Sequence, residues 1–472
     1  MTAEQTSPKT SSTTHPFNPG ILREYDIRGT VGGTLKAADC YFVGRAFGTM
    51  LRRAGGKTVA VGFDGRESSP GFCGEVIRGL NDCGLDVENV GLGPTPMVYF
   101  AMKSRGLDAA VIVTGSHSPL SYNGIKMALK PGPFYGAAIQ EVGRIAAAGD
   151  FAQGSGRTAA IDIRDVYVER LLKDYTGPRN LTIAWDAGNG AAGDIIRRLT
   201  QKLPGRHILL FDKIDGTFPN HHPDPTVADN LVDLQKAVHD NKCDAGFAFD
   251  GDGDRFGAVD EQGNILWADI IMAVYAAEVL KTHPGATVVA DVKSSRVLFD
   301  EITRLGGKPV MWNTGHSLIK AKMIETKSPL AGELAGHICF ADHYYGFDDG
   351  PYCAIRLLNI ISHAGKPLSA LTAHLPKIYN TPEVRFHVPA ERKFRIAPEI
   401  KERLRGGNDK DVSVNDIDGV RVTTPEGWWL IRASNTEDVL TIRAEGFTLE
   451  GLERLKGQLI EQLKQSGISS PF

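Results

Sequence analysis

The chain has 472 residues, of which 42% are hydrophobic and 23% are charged, and its formal net charge at pH 7 is -3. That length is too great for one ordinary core and predicts three or four domains of about 100–150 residues each. There is no block of like charges and no apolar run of about 18 residues, so nothing predicts nucleic-acid binding or a membrane span. We expect a cytoplasmic protein with a small ligand, either a monomer or a weak homo-oligomer.

The N-terminus is polar and lacks the apolar core of a secretory signal, and residues 1–16 are predicted to form a disordered leader. The six cysteines show neither a C-x-x-C pair nor a metal-ligand spacing with histidines. Reduced and mostly buried thiols are the expectation for a cytosolic chain.

Three segments share a pattern in which a short β-branched strand ends at an aspartate and a small-residue turn, and a second strand follows downstream. The second strands are predicted at residues 108–113, 244–249 and 308–312. Because ligands bind at the carboxyl ends of strands in open α/β sheets, the polar loops after these strands should carry the site. We expect residues 114–119, 250–254 and 313–317 to be equivalent loops of three repeated α/β units.

Beyond about residue 376 the pattern changes to strands without long helices between all of them, followed by a final helix that starts at Thr448 and stops at Gly467. This predicts a smaller, mainly antiparallel α+β domain. The predicted domains span residues 17–160, 161–264, 265–376 and 377–472.

The segment Asp250-Gly-Asp-Gly-Asp254-Arg255 places three carboxylates at every second position of a loop with two glycines. Such carboxylates project to one side and can share a hard cation, so the sequence predicts a magnesium site held by Asp250, Asp252 and Asp254. A calcium EF-hand is the nearest alternative. It fails because Arg255 stands where that loop needs glycine and because a strand, not a helix, precedes the loop.

A serine loop, Thr114-Gly-Ser116-His-Ser-Pro119, is a weak signal by itself, and it lacks the G-x-S-x-G pattern of a nucleophile elbow. A serine hydroxyl in the same relative position as a magnesium loop suits phosphoryl transfer. The donor-rich segments 432–436 and 332–337 fit a phosphate and sugar hydroxyls, although each alone could be a polar turn. We interpret His221-His222 as structural and reject a β-lactamase meaning for Ser317-Leu-Ile-Lys320.

Taken in order, these loops resemble the alpha-D-phosphohexomutase family, within it the bacterial phosphomannomutase/phosphoglucomutase group. The matching segments are Tyr25-Asp-Ile-Arg28-Gly, Thr114-Gly-Ser-His-Ser-Pro119, Asn123-Gly-Ile-Lys126, Asp250-Gly-Asp-Gly-Asp-Arg255, Gly315-His-Ser-Leu-Ile-Lys320, Gly332-Glu-Leu-Ala-Gly-His337 and Arg432-Ala-Ser-Asn-Thr-Glu437. The resemblance implies a heart-shaped fold of three related mixed α/β domains and a C-terminal α+β domain like that of TATA-binding protein.

The resemblance also implies roles for individual residues. Ser116 would rest as phosphoserine and complete the magnesium site of Asp250, Asp252 and Asp254. The catalytic residues would be Ser116, His117, Lys126 and Arg28. The substrate-binding residues would be Tyr25, Arg255, Lys293, His316, Glu333, His337, Arg432, Ser434, Asn435 and Thr436.

The implied activity is interconversion of hexose 1-phosphate and hexose 6-phosphate, with glucose or mannose as the sugar, through a hexose 1,6-bisphosphate. Mg²⁺ and glucose 1,6-bisphosphate would be the cofactors, and phosphosugars the partners. A metal-dependent sugar phosphate phosphatase is the alternative. Ala335 stands where the family usually has serine, and Ser118 where asparagine is usual, so the first change bears on substrate preference.

Overall fold

The computed structural model of the chain describes residues 14–405, 411–434 and 438–472. The chain divides into two compact units. The first unit runs to Asp165 and includes Asp215–Thr217, and the second comprises Val166–Ile214 and Phe218–Phe472. Within the described ranges, no helix is long and apolar enough to cross a bilayer.

The first unit is built on a seven-stranded sheet. Its strands are β1 (Ile27–Thr30), β2 (Thr58–Phe63), β3 (Asp86–Leu92), β4 (Ala109–Val113), β5 (Tyr122–Leu129), β6 (Gly132–Pro133) and β7 (Thr158–Ala160). Its helices are α1 (Ala37–Arg53), α2 (Ser69–Asn81), α3 (Thr95–Ser104) and α4 (Ala137–Ala148). The order across the sheet is β1-β5-β4-β2-β3-β7, and β6 pairs with β5. Strands β7, β3, β2 and β4 are parallel, whereas β5 is antiparallel to β4.

Helices α1, α2 and α4 bury apolar residues at three- and four-residue spacing against this sheet. Val43 and Phe47 of α1, Val76 and Leu80 of α2 and Val142 of α4 all join one core cluster. This spacing places the apolar residues on one face of each helix, so the helices cover the sheet as an α/β layer.

The second unit begins with a five-stranded sheet that follows α5 (Arg164–Leu172). Its elements are β8 (Leu181–Asp186), α6 (Gly193–Thr200), β9 (Gly205–Leu210), α7 (Val232–Asn241), β10 (Ala245–Phe249), β11 (Phe256–Asp260) and β12 (Ile265–Leu266). The order is β12-β11-β10-β8-β9. Strands β9, β8 and β10 are parallel, and β11 is antiparallel to β10.

A four-stranded sheet follows in the same unit. Its elements are α8 (Ala268–Thr282), β13 (Thr287–Asp291), α9 (Arg296–Arg304), β14 (Lys308–Trp312), α10 (His316–Thr326), β15 (Leu330–Gly332), β16 (Ile338–Phe340), α11 (Gly350–Ala364) and α12 (Leu368–Thr372). The order is β14-β13-β15-β16, with β15 parallel to β13 and antiparallel to β16.

These three sheets contain one repeated topology, in which three parallel strands are followed by an antiparallel one. The antiparallel strand is β5, β11 or β16, and the loop that precedes it follows β4, β10 or β15. The three equivalent loops therefore start at Thr114, Asp250 and Glu333. The prediction that residues 313–317 form the third equivalent loop is wrong, because β14 corresponds to β3 and β9 and not to β4 and β10.

The C-terminal sheet is antiparallel. Its elements are β17 (Tyr379–Asn380), β18 (Val384–His387), α13 (Ala390–Leu404), β19 (Ser413–Asn415), β20 (Val420–Thr424), β21 (Gly427–Ala433), β22 (Val439–Gly446) and α14 (Leu449–Gln465). Alternate residues of β21 face opposite sides. Trp429 and Ile431 pack in one core with Leu455 of α14, and Trp428 packs with Val292 after β13.

The last residues of the predicted leader, 1–16, contact the first unit. The Nε2 atom of His15 lies 2.7 Å from an Asp39 carboxylate oxygen, and its ring stacks on Phe42 with the ring centres 4.3 Å apart. Residues 14–16 of the predicted leader lie within the described chain, and residues 1–13 lie outside the described residues. The prediction of buried, reduced thiols is confirmed, since all six cysteines are free and buried.

Candidate active site

The serine loop connects β4 to β5 in the first unit. Ser116 is 2% exposed, and its φ of +48° lies in the left-handed region that a non-glycine residue rarely adopts. Its backbone N–H donates to Thr114 Oγ1 at 2.8 Å, and its Oγ lies 3.1 Å from Nδ1 of His117. The serine is thus fixed in an unusual backbone conformation with an imidazole beside its hydroxyl.

Two of the other predicted residues of this unit lie on strands next to the serine loop. Arg28 pairs with Gly124 across β1 and β5, and Lys126 lies two residues further along, so both lie on one face of the sheet. The Nη1 atom of Arg28 donates to Ser118 Oγ at 2.5 Å, and Lys126 is 3% exposed. Tyr25 is half buried in the segment before β1. The structure therefore brings cations to the loop that the sequence selected.

The acidic loop follows β10 in the second unit. Asp250, Asp252 and Asp254 are at most 1% exposed, and one oxygen from each lies within 4.8 Å of the others. The loop turns through Gly253, whose φ is +71° and whose N–H donates to the Asp250 carbonyl at 3.0 Å. Three buried carboxylates this close repel each other unless a cation is shared, and an all-oxygen set fits Mg²⁺. The residues present therefore fit the predicted ion.

Backbone packing holds the acidic loop from two sides. The Gly350 N–H donates to the Gly253 carbonyl at 3.1 Å, and the Ala191 N–H donates to the Gly251 carbonyl at 2.9 Å. A Cβ atom at Gly350 would lie 2.8 Å from the Gly253 carbonyl oxygen, and one at Gly190 would lie 2.9 Å from that of Asp250. These glycines are needed because the backbones approach too closely for a side chain.

Arg255 and His337 join the acidic loop to the loop after β15. Arg255 Nε lies 3.0 Å from His337 Nε2, and His337 Nδ1 lies 2.9 Å from Asp348 Oδ2 and 3.4 Å from Asp254 Oδ1. Because the Arg255 Nε–H can only donate, His337 Nε2 must accept, and the ring proton therefore sits on Nδ1, which lies close to Asp348 Oδ2 without the alignment of a hydrogen bond. The contact with Arg255 therefore fixes the orientation of the imidazole and which ring nitrogen accepts.

The cluster of Asp254, His337 and Asp348 has metal-ligand spacing, but its charges are already balanced. Lys320 Nζ donates to Asp348 Oδ1 at 2.7 Å, and the His337 Nδ1 atom lies 2.9 Å from Oδ2. A second cation would have to displace that lysine and meet Arg255. We therefore interpret Asp348 as the group that orients His337 and not as a metal ligand.

His316 contacts the same Asp348 oxygen as His337. Its ring stacks on His337 with the ring centres 5.0 Å apart, and its Nδ1 lies 3.5 Å from Asp348 Oδ2. Burial, reinforced by the nearby Lys320 charge, lowers the pKa of His316 to about 4. This imidazole is neutral at physiological pH.

The remaining predicted residues of the second unit have protein partners. Glu333 is 2% exposed and accepts from the Gly315 N–H, and burial raises its pKa. Lys293 Nζ donates to Glu383 Oε2 at 2.8 Å. Arg432 Nε donates to Asp418 Oδ2 at 3.0 Å. Lys293 and Arg432 are therefore held by carboxylates, and Glu333 is held by a backbone N–H.

The phosphate-binding segment is described only in part. Ser434 is buried, and its carbonyl accepts from Lys393 Nζ at 3.1 Å. Asn435 and Thr436 lie outside the described residues. Lys393 was not predicted from the sequence, since it comes from α13, about forty residues before the motif.

Four further residues of these networks were assigned no role from the sequence. Asp64 and Arg66 contact the serine loop, Asp348 orients His337, and Asp224 Oδ1 lies 3.9 Å from Arg255 Nη1. His221 was interpreted as structural, and its Nε2 lies 3.0 Å from an Asp186 carboxylate oxygen. Burial opposes protonation of His221, but the hydrogen bond and charge of Asp186 outweigh it and raise its pKa.

Three α/β sheets with a common topology, an antiparallel C-terminal domain and a buried carboxylate loop define the class of multidomain phosphosugar mutases. Family models for phosphoglucomutase/phosphomannomutase match the whole architecture. The alpha/beta/alpha domains I, II and III match residues 20–153, 165–263 and 267–379, and the C-terminal domain matches residues 383–462.

Individual relatives agree with these matches. The chain is 42% identical over 454 residues to the phosphomannomutase/phosphoglucomutase of Pseudomonas aeruginosa, covering 96% of this chain and 97% of that protein. It is 40% identical to the phosphoglucomutase of Neisseria gonorrhoeae, with 93% and 95% covered. A crystal structure of a phosphoglucomutase/phosphomannomutase family protein from Burkholderia thailandensis superposes with a TM-score of 0.90 at 41% identity, covering 97% of this chain and all of that one.

The chain belongs to the phosphoglucomutase/phosphomannomutase family. The predicted family, its four-domain fold and its hexose phosphate mutase activity are confirmed. The phosphatase alternative receives no support from these relatives.

Proposed function

We propose that the chain interconverts hexose 1-phosphates and hexose 6-phosphates of glucose, mannose or both, with Ser116 as the phosphoryl carrier. The observation that carries this proposal is topological. A serine at φ +48° and a set of three buried carboxylates occupy the same loop of two copies of one repeated fold. Phosphoryl transfer needs a nucleophile and a cation in one reaction, and these loops supply them.

The reaction consists of two transfers of one phosphoryl group each. In the first, the bond from phosphorus to Ser116 Oγ breaks as a bond to the free sugar hydroxyl forms, and the proton of that hydroxyl passes to the protein. In the second, the other phosphate of the hexose 1,6-bisphosphate moves to Ser116 Oγ, and the released sugar oxygen recovers a proton. His117, Lys126 and Arg28 are the candidates for holding the proton or the developing charge next to the serine.

Asp250, Asp252 and Asp254 would hold Mg²⁺, with a phosphoserine oxygen of Ser116 as a further predicted ligand. When bound, the ion would neutralise negative charge on the phosphoryl oxygens. Arg255, ordered by His337, offers a fixed guanidinium for the same charge. Both contributions stabilise negative charge without taking part in bond breaking.

We assign substrate binding to two groups of side chains. Glu333 and His337, with Lys293, His316 and Tyr25, would bind the sugar. Arg432, Ser434, Asn435 and Thr436 would bind the phosphate that is not being transferred. A phosphate-binding loop of this kind serves either orientation of the bisphosphate, so that the intermediate is retained and not hydrolysed.

We also place the enzyme in the cytoplasm. All six cysteines are unoxidised and buried, as expected of a protein from a reducing compartment. Phosphosugars are the only partners that the proposal requires, and a monomer or weak homo-oligomer suffices.

A coupled assay tests the proposal. Glucose, mannose and glucosamine 1-phosphates are supplied with Mg²⁺, with and without glucose 1,6-bisphosphate, and both the 6-phosphate and inorganic phosphate are measured. We expect the 6-phosphate of glucose or mannose to form, with stimulation by the bisphosphate and little inorganic phosphate. Release of one phosphate per sugar consumed would instead identify a phosphatase.

A further inference from the structure

One buried arginine holds the serine loop by its backbone. Arg66 is 3% exposed and follows β2 in the first unit. Its Nη2 donates to the carbonyls of Ser116 and Ser118 at 2.9 and 2.6 Å, and its Nη1 donates to those of Pro119 and Tyr122 at 2.9 and 3.0 Å. One guanidinium thus binds four carbonyl oxygens within seven residues of chain.

Asp64 completes the support from the other side of the loop. Its Oδ2 accepts from Thr114 Oγ1 and from the Gly115 N–H, both at 2.9 Å, and lies 3.5 Å from Arg66 Nε. The packing leaves no spare room, because a Cβ at Gly115 would lie 2.3 Å from Arg66 Nε. The carbonyls of the loop are bound by the arginine, and the start of the loop is bound by the aspartate.

This support explains how Ser116 keeps a φ of +48°. A non-glycine residue in that region is strained and persists only where its surroundings over-determine it. We propose that Arg66 is a positioning residue, which fixes the left-handed turn that aims Ser116 Oγ for phosphoryl transfer. The inference rests on the proposed role of Ser116 as phosphoryl carrier.

The geometry requires an arginine. A guanidinium is planar and directs its donors in a fixed fork, whereas a lysine ammonium is a single nitrogen with three donors. Arg66→Lys therefore keeps the charge beside Asp64 but cannot reach four carbonyls at once. The loop should relax, and a misplacement of about 1 Å in a reacting group can cost about 100-fold in rate.

The test measures how fast Ser116 accepts a phosphoryl group. Phosphate-free protein is mixed with hexose 1,6-bisphosphate carrying labelled phosphate, and both the rate constant and the final label per chain are recorded. In this step the Ser116 Oγ–P bond forms, the sugar O–P bond breaks, and the serine proton ends on the released sugar hydroxyl. We expect Arg66→Lys to lower the rate constant about 100-fold while the final label stays near one per chain.

A matched control separates positioning from folding. Arg45 is another buried arginine of the first unit, 8% exposed, which donates to Tyr41 and to the Ala152 carbonyl and makes no bond to the serine loop. Arg45→Lys should leave the rate constant within about twofold, since it loses comparable hydrogen bonds elsewhere. Gly115→Ala, which pushes on the Arg66 guanidinium, gives a second variant should Arg66→Lys not fold, and it should also slow labelling.

Two results would overturn the inference. In the first, the variants label at the wild-type rate constant. In the second, only the labelled fraction falls, which is what a structural role predicts. If the wild-type protein takes up no phosphate on Ser116, the proposed function itself is wrong, and the role of Arg66 is lost with it.

Discussion

The serine loop and the acidic loop occupy the same position in two copies of one topology, yet different groups hold them in place. Arg66 binds the carbonyls of the serine loop, and Ser116 itself has a strained backbone. The acidic loop is wedged between the backbones of Gly190 and Gly350, and its side chains continue into the network of Arg255, His337 and Asp348.

The difference follows from what each loop has to do. For a nucleophile, only the direction of one attacking atom has to be fixed, and backbone geometry can fix it. A cation site needs several oxygens at set distances, which requires side chains and neighbours that orient them. Substitutions in the serine loop should therefore affect the transfer step, and those in the acidic loop should affect Mg²⁺ dependence as well.

The largest effect is expected for Ser116→Ala, which removes the predicted carrier. We expect turnover to fall by more than about 1,000-fold, because no other group of the loop can replace a covalent nucleophile. Hexose phosphate binding, measured by calorimetry, should persist. Ser121→Ala, at an exposed serine five residues along, is the control and should retain activity. Substantial turnover by the Ser116 variant would refute the assignment.

Asp252→Asn tests whether the acidic loop, unlike the serine loop, acts by holding Mg²⁺. Loss of one of three buried carboxylates should lower activity about 100-fold and weaken the dependence of rate on Mg²⁺ concentration. A Mg²⁺ titration of the rate and of the thermal midpoint measures both effects. Asp240→Asn, on the exposed side of α7, serves as a charge-matched control. An unchanged Mg²⁺ titration for Asp252→Asn would count against the metal site.

Asp348→Asn sharpens the comparison because Asp348 acts on the acidic loop through His337, which contacts Asp254 and Arg255. An asparagine there is uncharged and has only one acceptor oxygen, so it cannot both accept from the Lys320 ammonium and present a carboxylate oxygen to the His337 ring. We expect kcat to fall about 10- to 100-fold, together with a change in the imidazole nitrogen resonances of His337 that reports its tautomer. A variant with an altered rate but unchanged resonances would disprove the orienting role.

The smallest expected effect is a pH-dependent change in stability. Asp349 accepts from the hydroxyls of Tyr167 and Tyr344 at 2.8 and 2.7 Å, and burial raises its pKa from 3.8 to about 6. A raised acid pKa means that the folded state binds the proton more tightly. The stabilising contribution is therefore complete below about pH 4 and is lost as the pH rises past about 6.

Asp349→Asn does not titrate, so comparison with it isolates this contribution. The free energy of unfolding of the wild type, relative to the variant, should fall by about 1 kcal/mol between pH 5 and pH 7. That corresponds to roughly 1–2 °C in the difference between the two thermal midpoints. Scanning calorimetry at both pH values measures it, and a difference that grows with pH would contradict the assigned direction.

The sequence predicted the motif loops well because each is a cluster of unusual residues after an apolar strand. The three α/β units were also recognisable, since β2, β8 and β13 are short apolar, β-branched runs that end in polar turns. The third equivalent loop was misplaced because β15 has only three residues, Leu330–Gly332. A strand that short is defined by its neighbours in the sheet and not by its own composition.

The supporting residues were harder to find for a different reason. Arg66 donates to four backbone carbonyls. Every residue type has a backbone carbonyl, so the sequence of the loop does not reveal that an arginine binds it. Asp348 lies eleven residues from His337 and 28 from Lys320 along the chain. Pairing of this kind depends on the fold, so a single sequence cannot indicate it.

The most direct test follows one phosphoryl group through the protein. Wild-type protein is labelled with hexose 1,6-bisphosphate, the labelled residue is mapped by mass spectrometry, and the phosphoprotein is then mixed with glucose 1-phosphate and Mg²⁺. The label should be found on Ser116, at about one per chain. It should then move to the 6-hydroxyl of the sugar and appear first in glucose 1,6-bisphosphate and finally in glucose 6-phosphate, as the unlabelled 1-phosphate returns to Ser116. Label on another residue, or its release as inorganic phosphate, would contradict the account.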